Sequence, residues 1–218
     1  MFFDLYHSFY YSVLIACSVF SLFYIPKVSK PFKWLGLLII VTLLSELIAK
    51  YFAYKFLLSN SAIYHFFTPF EYFIYIQVFS NFHTNKRWKK VLSLSMILIV
   101  VAEILNTKYL QPLHHTNTNI MIVESVLLVF ISLILFLKIK NSMIYENLAS
   151  EGIFWFNSAV LMYYSFNILV WGFHSFKVYN FTNPPVIIYS INLIFSGLLY
   201  IVYSLSMYLD EKTSRINP

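Results

Sequence analysis

Seven apolar stretches, each close to the length of a membrane-spanning helix, divide the chain. A helix needs about 20 mainly apolar residues to cross the hydrocarbon core of a bilayer. Of the 218 residues, 60% are hydrophobic and 11% are charged, whereas soluble domains carry about 25% charged residues. This composition therefore indicates an integral membrane protein. We predict an all-α fold, a single seven-transmembrane-helix bundle over residues 1–218, with helices near Leu5–Ile25, Phe32–Tyr54, Ala62–Phe82, Lys90–Asn106, Asn119–Leu137, Ile153–Phe173 and Pro185–Leu209.

The basic residues are distributed unevenly between the connections of these predicted helices. Eleven of the 15 lysines and arginines fall on one side, and Lys50, Lys55, Lys108 and Lys177 fall on the other. Short loops rich in Lys and Arg remain in the cytoplasm. We therefore predict a multi-pass protein with its N-terminus outside and its C-terminus in the cytoplasm.

A layer of polar residues is predicted in the outer half of the membrane. At about 1.5 Å of rise per residue, these residues lie between the midplane and roughly 10 Å outward of it. Polar residues placed independently of one another would occur in both halves of the membrane. Because buried ionisable groups face the bundle interior, the one-sided layer predicts a shared polar chamber. The first helix is expected to contribute little, because its outer tyrosines fit an interfacial aromatic belt. The candidate ligand-binding residues are Glu46, His65, Thr68, Glu71, Glu103, Glu124, Ser125, Asn167 and Asn192.

The third predicted helix carries the most unusual stretch, Ile63–Ile76, in which Pro69 stands two residues before Glu71. Proline has no N–H to donate to the carbonyl one turn earlier, at His65. We therefore expect a kink and a free carbonyl near Glu71.

The chamber predicts binding of a small ligand, a proton or a cation, for sensing or transport, as in a receptor-like protein. One alternative is an intramembrane, lipid-modifying enzyme in which a glutamate is the general base and a metal or His65 is the electrophile. A second is a structural membrane subunit whose glutamates only hydrogen-bond between helices. No catalytic residue and no cofactor is predicted, and a divalent metal, if bound, would use His65, Glu71 and Glu124.

Several classes are disfavoured by what the sequence lacks. Cys17 is the single cysteine, which excludes an intrachain disulfide and a cysteine zinc site. The only aspartates are Asp4 and Asp210, which argues against the seven-helix lipid hydrolases that depend on Asp and His. No catalytic-triad spacing appears, which disfavours nucleophilic hydrolysis. A retinal Schiff base would need a lysine in the last helix, and residues 185–209 contain none. The sequence contains no basic run with interleaved aromatic residues, the pattern that would suggest binding of nucleic acid.

Three blocks resemble a family of small, largely uncharacterised bacterial seven-helix membrane proteins: residues 64–71 (YHFFTPFE), 123–127 (VESVL) and 154–164 (FWFNSAVLMYY). Ala159 stands where the family block usually has glycine. The resemblance implies a bacterial cytoplasmic (inner) membrane and names no substrate. The expected partners are membrane lipids, a small ligand or cation from the extracytoplasmic side, and a membrane or signalling protein. The blocks single out Tyr64, His65, Thr68, Glu71, Glu124, Ser125, Trp155, Asn157 and Tyr163.

Overall fold

The computed structural model describes residues 2–56, 60–83, 85–141, 148–180 and 186–216. Within these ranges the chain forms seven α-helices and one short 3-10 turn at Leu148–Ser150. The predicted all-α class is thus confirmed, while the predicted start of the last helix, Pro185, lies outside the described residues. The helices are α1 (Phe2–Tyr24), α2 (Lys30–Phe56), α3 (Ser61–Phe82), α4 (Lys86–Tyr109), α5 (Thr118–Asn141), α6 (Gly152–Asn180) and α7 (Val186–Ile216).

Six of these helices are long and apolar enough to cross a membrane. They are α1, α2, α4, α5, α6 and α7, which supports the predicted multi-pass architecture. Helix α3 is not among the six over the described part of the chain. Its sequence includes His65, Pro69 and Glu71 as well as Gln77 and Asn81, which lower its hydropathy.

The seven helices form a closed ring in chain order. Each helix packs against the next one, and α7 packs against α1. Two further contacts, of α2 with α7 and of α3 with α5, cross the interior. Successive helices run antiparallel, so α1, α3, α5 and α7 all begin at one end, which we call the α1-start end.

Helix α3 directs its polar groups into the bundle. Nine of its side chains are buried, and the rings of Tyr72 and Tyr75 are completely so. The Tyr75 hydroxyl lies 2.6 Å from the hydroxyl of Tyr203 on α7, and the Tyr72 hydroxyl donates to Ser95 Oγ on α4 at 2.8 Å. The polar side chains of this helix are thereby accommodated inside the bundle.

The half of the bundle away from the α1-start end is an apolar core. Leu14, Leu35, Phe79 and Phe156 are fully buried there, and the last two have ring centroids 5.3 Å apart. Burial of this kind contributes roughly 1.5–3 kcal/mol per large apolar side chain.

Two contacts fix helix ends at the same side as this core. The Asp210 carboxylate of α7 accepts hydrogen bonds from the backbone N–H and the hydroxyl of Ser29, at 2.7 and 2.9 Å, just before α2 begins. The Asn85 side chain accepts from the N–H of Arg87 at 2.8 Å and caps the start of α4.

Gly152 allows the start of α6 to approach α7 closely. A Cβ atom built at Gly152 would lie 2.4 Å from the carbonyl oxygen of Ser206 and 3.1 Å from the ring of Phe32. A backbone atom cannot turn away as a side chain can, so any side chain here separates α6 from α7.

We predict that Gly152→Ala lowers the midpoint of thermal unfolding of the purified protein, because α6 must move away from Ser206. The loss should exceed the roughly 0.5–1 kcal/mol that alanine gains over glycine in a helix. The matched control is Gly172→Ala on the same helix, where nothing lies within 4 Å of the added Cβ. That variant should unfold at the same temperature or higher, and equal losses in both variants would contradict the prediction.

Candidate functional site

A cavity of about 390 Å³ lies at the α1-start end of the bundle. Pockets for small molecules are commonly 300–1,000 Å³. All the helices except α4 contribute to its wall, as does Thr116 in the connection before α5. Six of the nine predicted ligand-binding residues line it: Glu46, Thr68, Glu71, Glu124, Asn167 and Asn192.

Glu46 on α2 is surrounded by tyrosine hydroxyls. Tyr10 and Tyr11 of α1 donate to its two carboxylate oxygens at 3.4 and 3.3 Å, and Tyr64 of α3 lies 3.4 Å from both. The nearby Lys50 amine lies 4.9 Å from the ring centroid of Tyr11. Tyrosine hydroxyls are therefore the groups that the structure places against this carboxylate.

These contacts correct the expectation that the first helix contributes little. His7 and Tyr10 both line the cavity, and Tyr10 is only 5% exposed. An outward-facing tyrosine of an interfacial belt and an inward-facing one occupy the same depth. The direction of the side chain around the helix axis distinguishes them, and the sequence does not set that direction.

Glu71 and its neighbours form the floor of the cavity. The hydroxyl of Tyr164 on α6 donates to Glu71 Oε1 at 3.1 Å. The adjacent Tyr163 has its hydroxyl 3.1 Å from Ser196 Oγ on α7, and Ser196 in turn donates to the backbone carbonyl of Asn192 at 2.9 Å. Helices α3, α6 and α7 are thus joined by hydrogen bonds around the cavity.

Three buried oxygen atoms of the cavity wall have no hydrogen-bond partner among the described residues: Glu124 Oε1, Asn167 Oδ1 and Asn192 Oδ1. The Glu124 side chain is 3% exposed and Asn167 is 7% exposed. An unpaired buried polar group costs about 1–3 kcal/mol. These oxygens belong to residues of the cavity wall, and a hydrogen-bond donor brought to them would stabilise them.

His65 and Glu103 do not line the cavity but form a pair beside it. His65 Nδ1 lies 2.7 Å from Glu103 Oε1, with both side chains buried. The other ring nitrogen, Nε2, lies 3.0 Å from the backbone carbonyl oxygen of His115. His65 therefore connects α3 both to α4 and to the connection between α4 and α5.

The hydrogen atoms of this network can be assigned from its acceptors. Thr107 donates its single hydroxyl proton to Glu103 Oε1 at 2.8 Å, so its oxygen accepts from His65 Nδ1, 3.0 Å away. The amide of Asn117 donates to Glu103 Oε2 at 2.6 Å. Both ring nitrogens of His65 are therefore engaged, Nδ1 by Glu103 and Thr107 and Nε2 by the backbone carbonyl oxygen of His115.

A cluster of amide side chains holds the connection between α4 and α5 in place. Asn106 Nδ2 donates to Asn117 Oδ1 at 3.0 Å, and Asn119 Nδ2 donates to Asn106 Oδ1 at 3.0 Å. Gln111 Nε2 donates to Thr118 Oγ1 at 2.7 Å. Because Thr116 in this connection lines the cavity, the cluster also fixes part of the cavity wall. The sequence did not predict this amide cluster, since Asn and Gln are common in and beside loops and give no specific signal.

The remaining predicted residues make contacts between or within helices. Ser125 donates to the carbonyl of Met121, one turn earlier on α5, at 2.6 Å. Asn157 exchanges hydrogen bonds with Ser132 of α5 at 2.7 and 3.0 Å, and Trp155 donates to the carbonyl of Ala149 at 2.9 Å. These three residues lie outside the cavity wall.

The described residues contain no group of three or more His, Cys, Asp or Glu side chains that could hold a metal ion. His65 is directed to Glu103, whereas Glu71 and Glu124 line the cavity. The predicted metal set of His65, Glu71 and Glu124 is therefore not assembled at one point.

A second cavity, of about 240 Å³, lies at the opposite end of the bundle. Its wall includes Glu151, Asp210 and the ring of Phe82. Burial and the nearby Asp210 raise the pKa of the Glu151 carboxyl above its usual range. Asp210 is already bonded to Ser29, which gives this carboxylate a structural role at the start of α2.

Comparison with known proteins finds no match: no family model, no curated protein and no solved structure resembles the chain. The resemblance to bacterial seven-helix proteins therefore rests on its three sequence blocks alone.

We predict that His65→Leu lowers the free energy of unfolding on the order of 3 kcal/mol, because it leaves the buried Glu103 carboxyl without its histidine partner. The double variant His65→Leu/Glu103→Gln should lose less than the sum of the two single variants, as measured by thermal or denaturant unfolding. His114→Ala, an exposed neighbour in the same connection, is the control and should change stability by less than about 0.5 kcal/mol. Additive losses would mean that the two side chains are not coupled.

Proposed function

We propose that the chain is a seven-helix, multi-pass protein of the bacterial cytoplasmic membrane that binds a small ligand, a proton or a cation in the cavity at the α1-start end. The N-terminus lies outside and the C-terminus in the cytoplasm, so this cavity opens toward the extracytoplasmic side. Binding there serves sensing, through movement of helices against a partner protein, or transport.

The observation that carries this proposal is the set of unpartnered acceptor oxygens of Glu124, Asn167 and Asn192 at the cavity wall. Glutamates that only joined helices would have their oxygens bonded to neighbouring helices. Asn157 and Ser132 are bonded in that way between α6 and α5, and Glu124 Oε1 is not. The structural-subunit alternative does not account for this difference.

The enzyme alternative has less support. It needs an electrophile beside a glutamate general base. His65, the candidate electrophile, is engaged by Glu103 and by the carbonyl of His115 and does not face the cavity.

Trp171 of the cavity wall provides a reporter of binding. The chain has three other tryptophans, Trp34, Trp88 and Trp155, and replacing each by phenylalanine leaves Trp171 as the single source of indole fluorescence. A solute that enters the cavity should change this emission and raise the unfolding temperature. The probes are Na⁺, K⁺, NH₄⁺, a pH series and a set of small neutral and charged organic molecules.

We predict at least one saturable response among these probes, and its loss in Glu71→Gln and Glu124→Gln, because both carboxyls line the cavity. Glutamine keeps the size of the side chain and removes its charge. The matched control is Glu151→Gln at the opposite end of the bundle, which should respond as the unmodified protein does. If every ion, solute and pH response is unchanged in both cavity variants, the proposal fails.

A further inference from the structure

The chemistry of the cavity wall narrows the class of ligand that it can hold. Given the proposed binding function, on which this inference rests, we infer that the ligand is an organic ammonium ion: a primary or secondary amine, protonated, with a compact apolar or aromatic body. Three independent properties of the wall lead to this class.

The first property is the identity of the unpartnered atoms. Glu124 Oε1, Asn167 Oδ1 and Asn192 Oδ1 are all oxygens. A carboxylate or amide oxygen accepts hydrogen bonds and does not donate them. A ligand that satisfies such oxygens has to present N–H or O–H groups. A primary ammonium group has three N–H donors on one atom.

The second property is the charge of the wall. Three carboxyl side chains line the cavity, those of Glu46, Glu71 and Glu124, and no described lysine or arginine does. Hydroxyl groups of tyrosines contact the first two carboxyls. Glu124 is the carboxyl with a buried oxygen that has no hydrogen-bond partner among the described residues. A buried carboxylate without a cationic neighbour is stabilised by a cation brought from outside, and destabilised by an anion.

The third property is the aromatic character of the rest of the wall. Tyr163, Tyr164, Trp171, Tyr189 and Tyr200 all line the cavity. Faces of such rings attract organic cations and also cover apolar groups. A volume of about 390 Å³ exceeds what a bare metal ion fills, and the described residues offer no metal-binding cluster. The wall therefore suits an organic cation better than an inorganic one.

In the arrangement that follows, Glu124 receives the ammonium group as its counter-ion, and the amide oxygens of Asn167 and Asn192 accept the remaining N–H bonds. The tyrosine and tryptophan rings enclose the organic body. Glu46 and Glu71 add negative potential from the α2 and α3 sides of the cavity.

The test compares four probes that share one ring and differ in the group attached to it. Benzylamine, protonated at pH 7, has the charge and the donors; benzyltrimethylammonium has the charge without donors. Benzyl alcohol has one donor without the charge, and benzoate has the opposite charge. Binding to the full-length protein is measured by isothermal titration calorimetry and by the fluorescence of the variant that retains only Trp171.

We expect saturable binding of benzylamine, with benzyl alcohol and benzyltrimethylammonium each at least about tenfold weaker, because each lacks a charged hydrogen bond. Benzoate should not bind. Glu124→Gln should weaken benzylamine at least about tenfold, and Asn167→Leu should weaken it as well. Glu151→Gln, at the opposite end, should bind benzylamine with unchanged affinity, whereas partition of the probe into detergent or lipid would leave Glu124→Gln unchanged too.

Other outcomes separate the ligand class from the cavity function. If benzyl alcohol or benzoate binds as tightly as benzylamine, or if Glu124→Gln binds benzylamine unchanged, the ammonium class is overturned. Equal binding of benzyltrimethylammonium overturns the role of the three oxygens as acceptors. If none of the four probes binds while another solute gives a response that Glu71→Gln and Glu124→Gln abolish, the ligand class fails and the binding function stands. No response to any solute overturns both.

Discussion

Every polar group that the bundle removes from water needs a hydrogen-bond partner inside the bundle, because the apolar side chains around it offer none. Helix α3 concentrates such groups: His65, Thr68, Glu71, Tyr72 and Tyr75 all lie on its inner side, buried or half-buried. Thr68 donates to a carbonyl of its own helix, and the partners of the other four come from α4, α6 and α7. The ring of helices meets this requirement, since it brings partner groups from both directions of the chain to α3.

The polar groups of the interior divide into two classes by how well they are satisfied. Asn157 with Ser132, and His65 with Glu103, have partners for their buried atoms and hold helices together. Glu124 has a carboxylate oxygen without one. Since an unpaired buried group destabilises the fold, its presence at a cavity wall supports the proposed binding role over the structural-subunit alternative.

The parts of this structure that the sequence predicts are those that depend on position along a helix axis. Apolar stretches locate all seven helices, although α4 extends from Lys86 to Tyr109 where hydropathy indicates Lys90–Asn106. Hydropathy measures the apolar segment, and a helix continues through its basic and polar ends. Counting about 1.5 Å of rise per residue likewise predicts where Glu71 and Glu124 lie along their helix axes.

Direction around the helix axis is harder to predict. Glu103 turns to His65 rather than to the cavity, and Tyr10 turns inward to Glu46. Such choices depend on which helices become neighbours, and this follows from the ring as a whole. The amide cluster around Asn106 and Asn117 joins residues 11 apart in the chain, and no local pattern in either segment indicates that contact.

The hydrogen bond from His65 to position 115 ends on a backbone carbonyl oxygen, and the side chain of that residue is exposed. Every amino acid supplies the same carbonyl group, so the contact constrains the path of the chain there without constraining the identity of the residue. A cysteine placed at this position and labelled with a dye or spin probe would therefore leave the contact intact. A probe attached there would report the distance between the helices and the connection from α4 to α5, which borders the cavity.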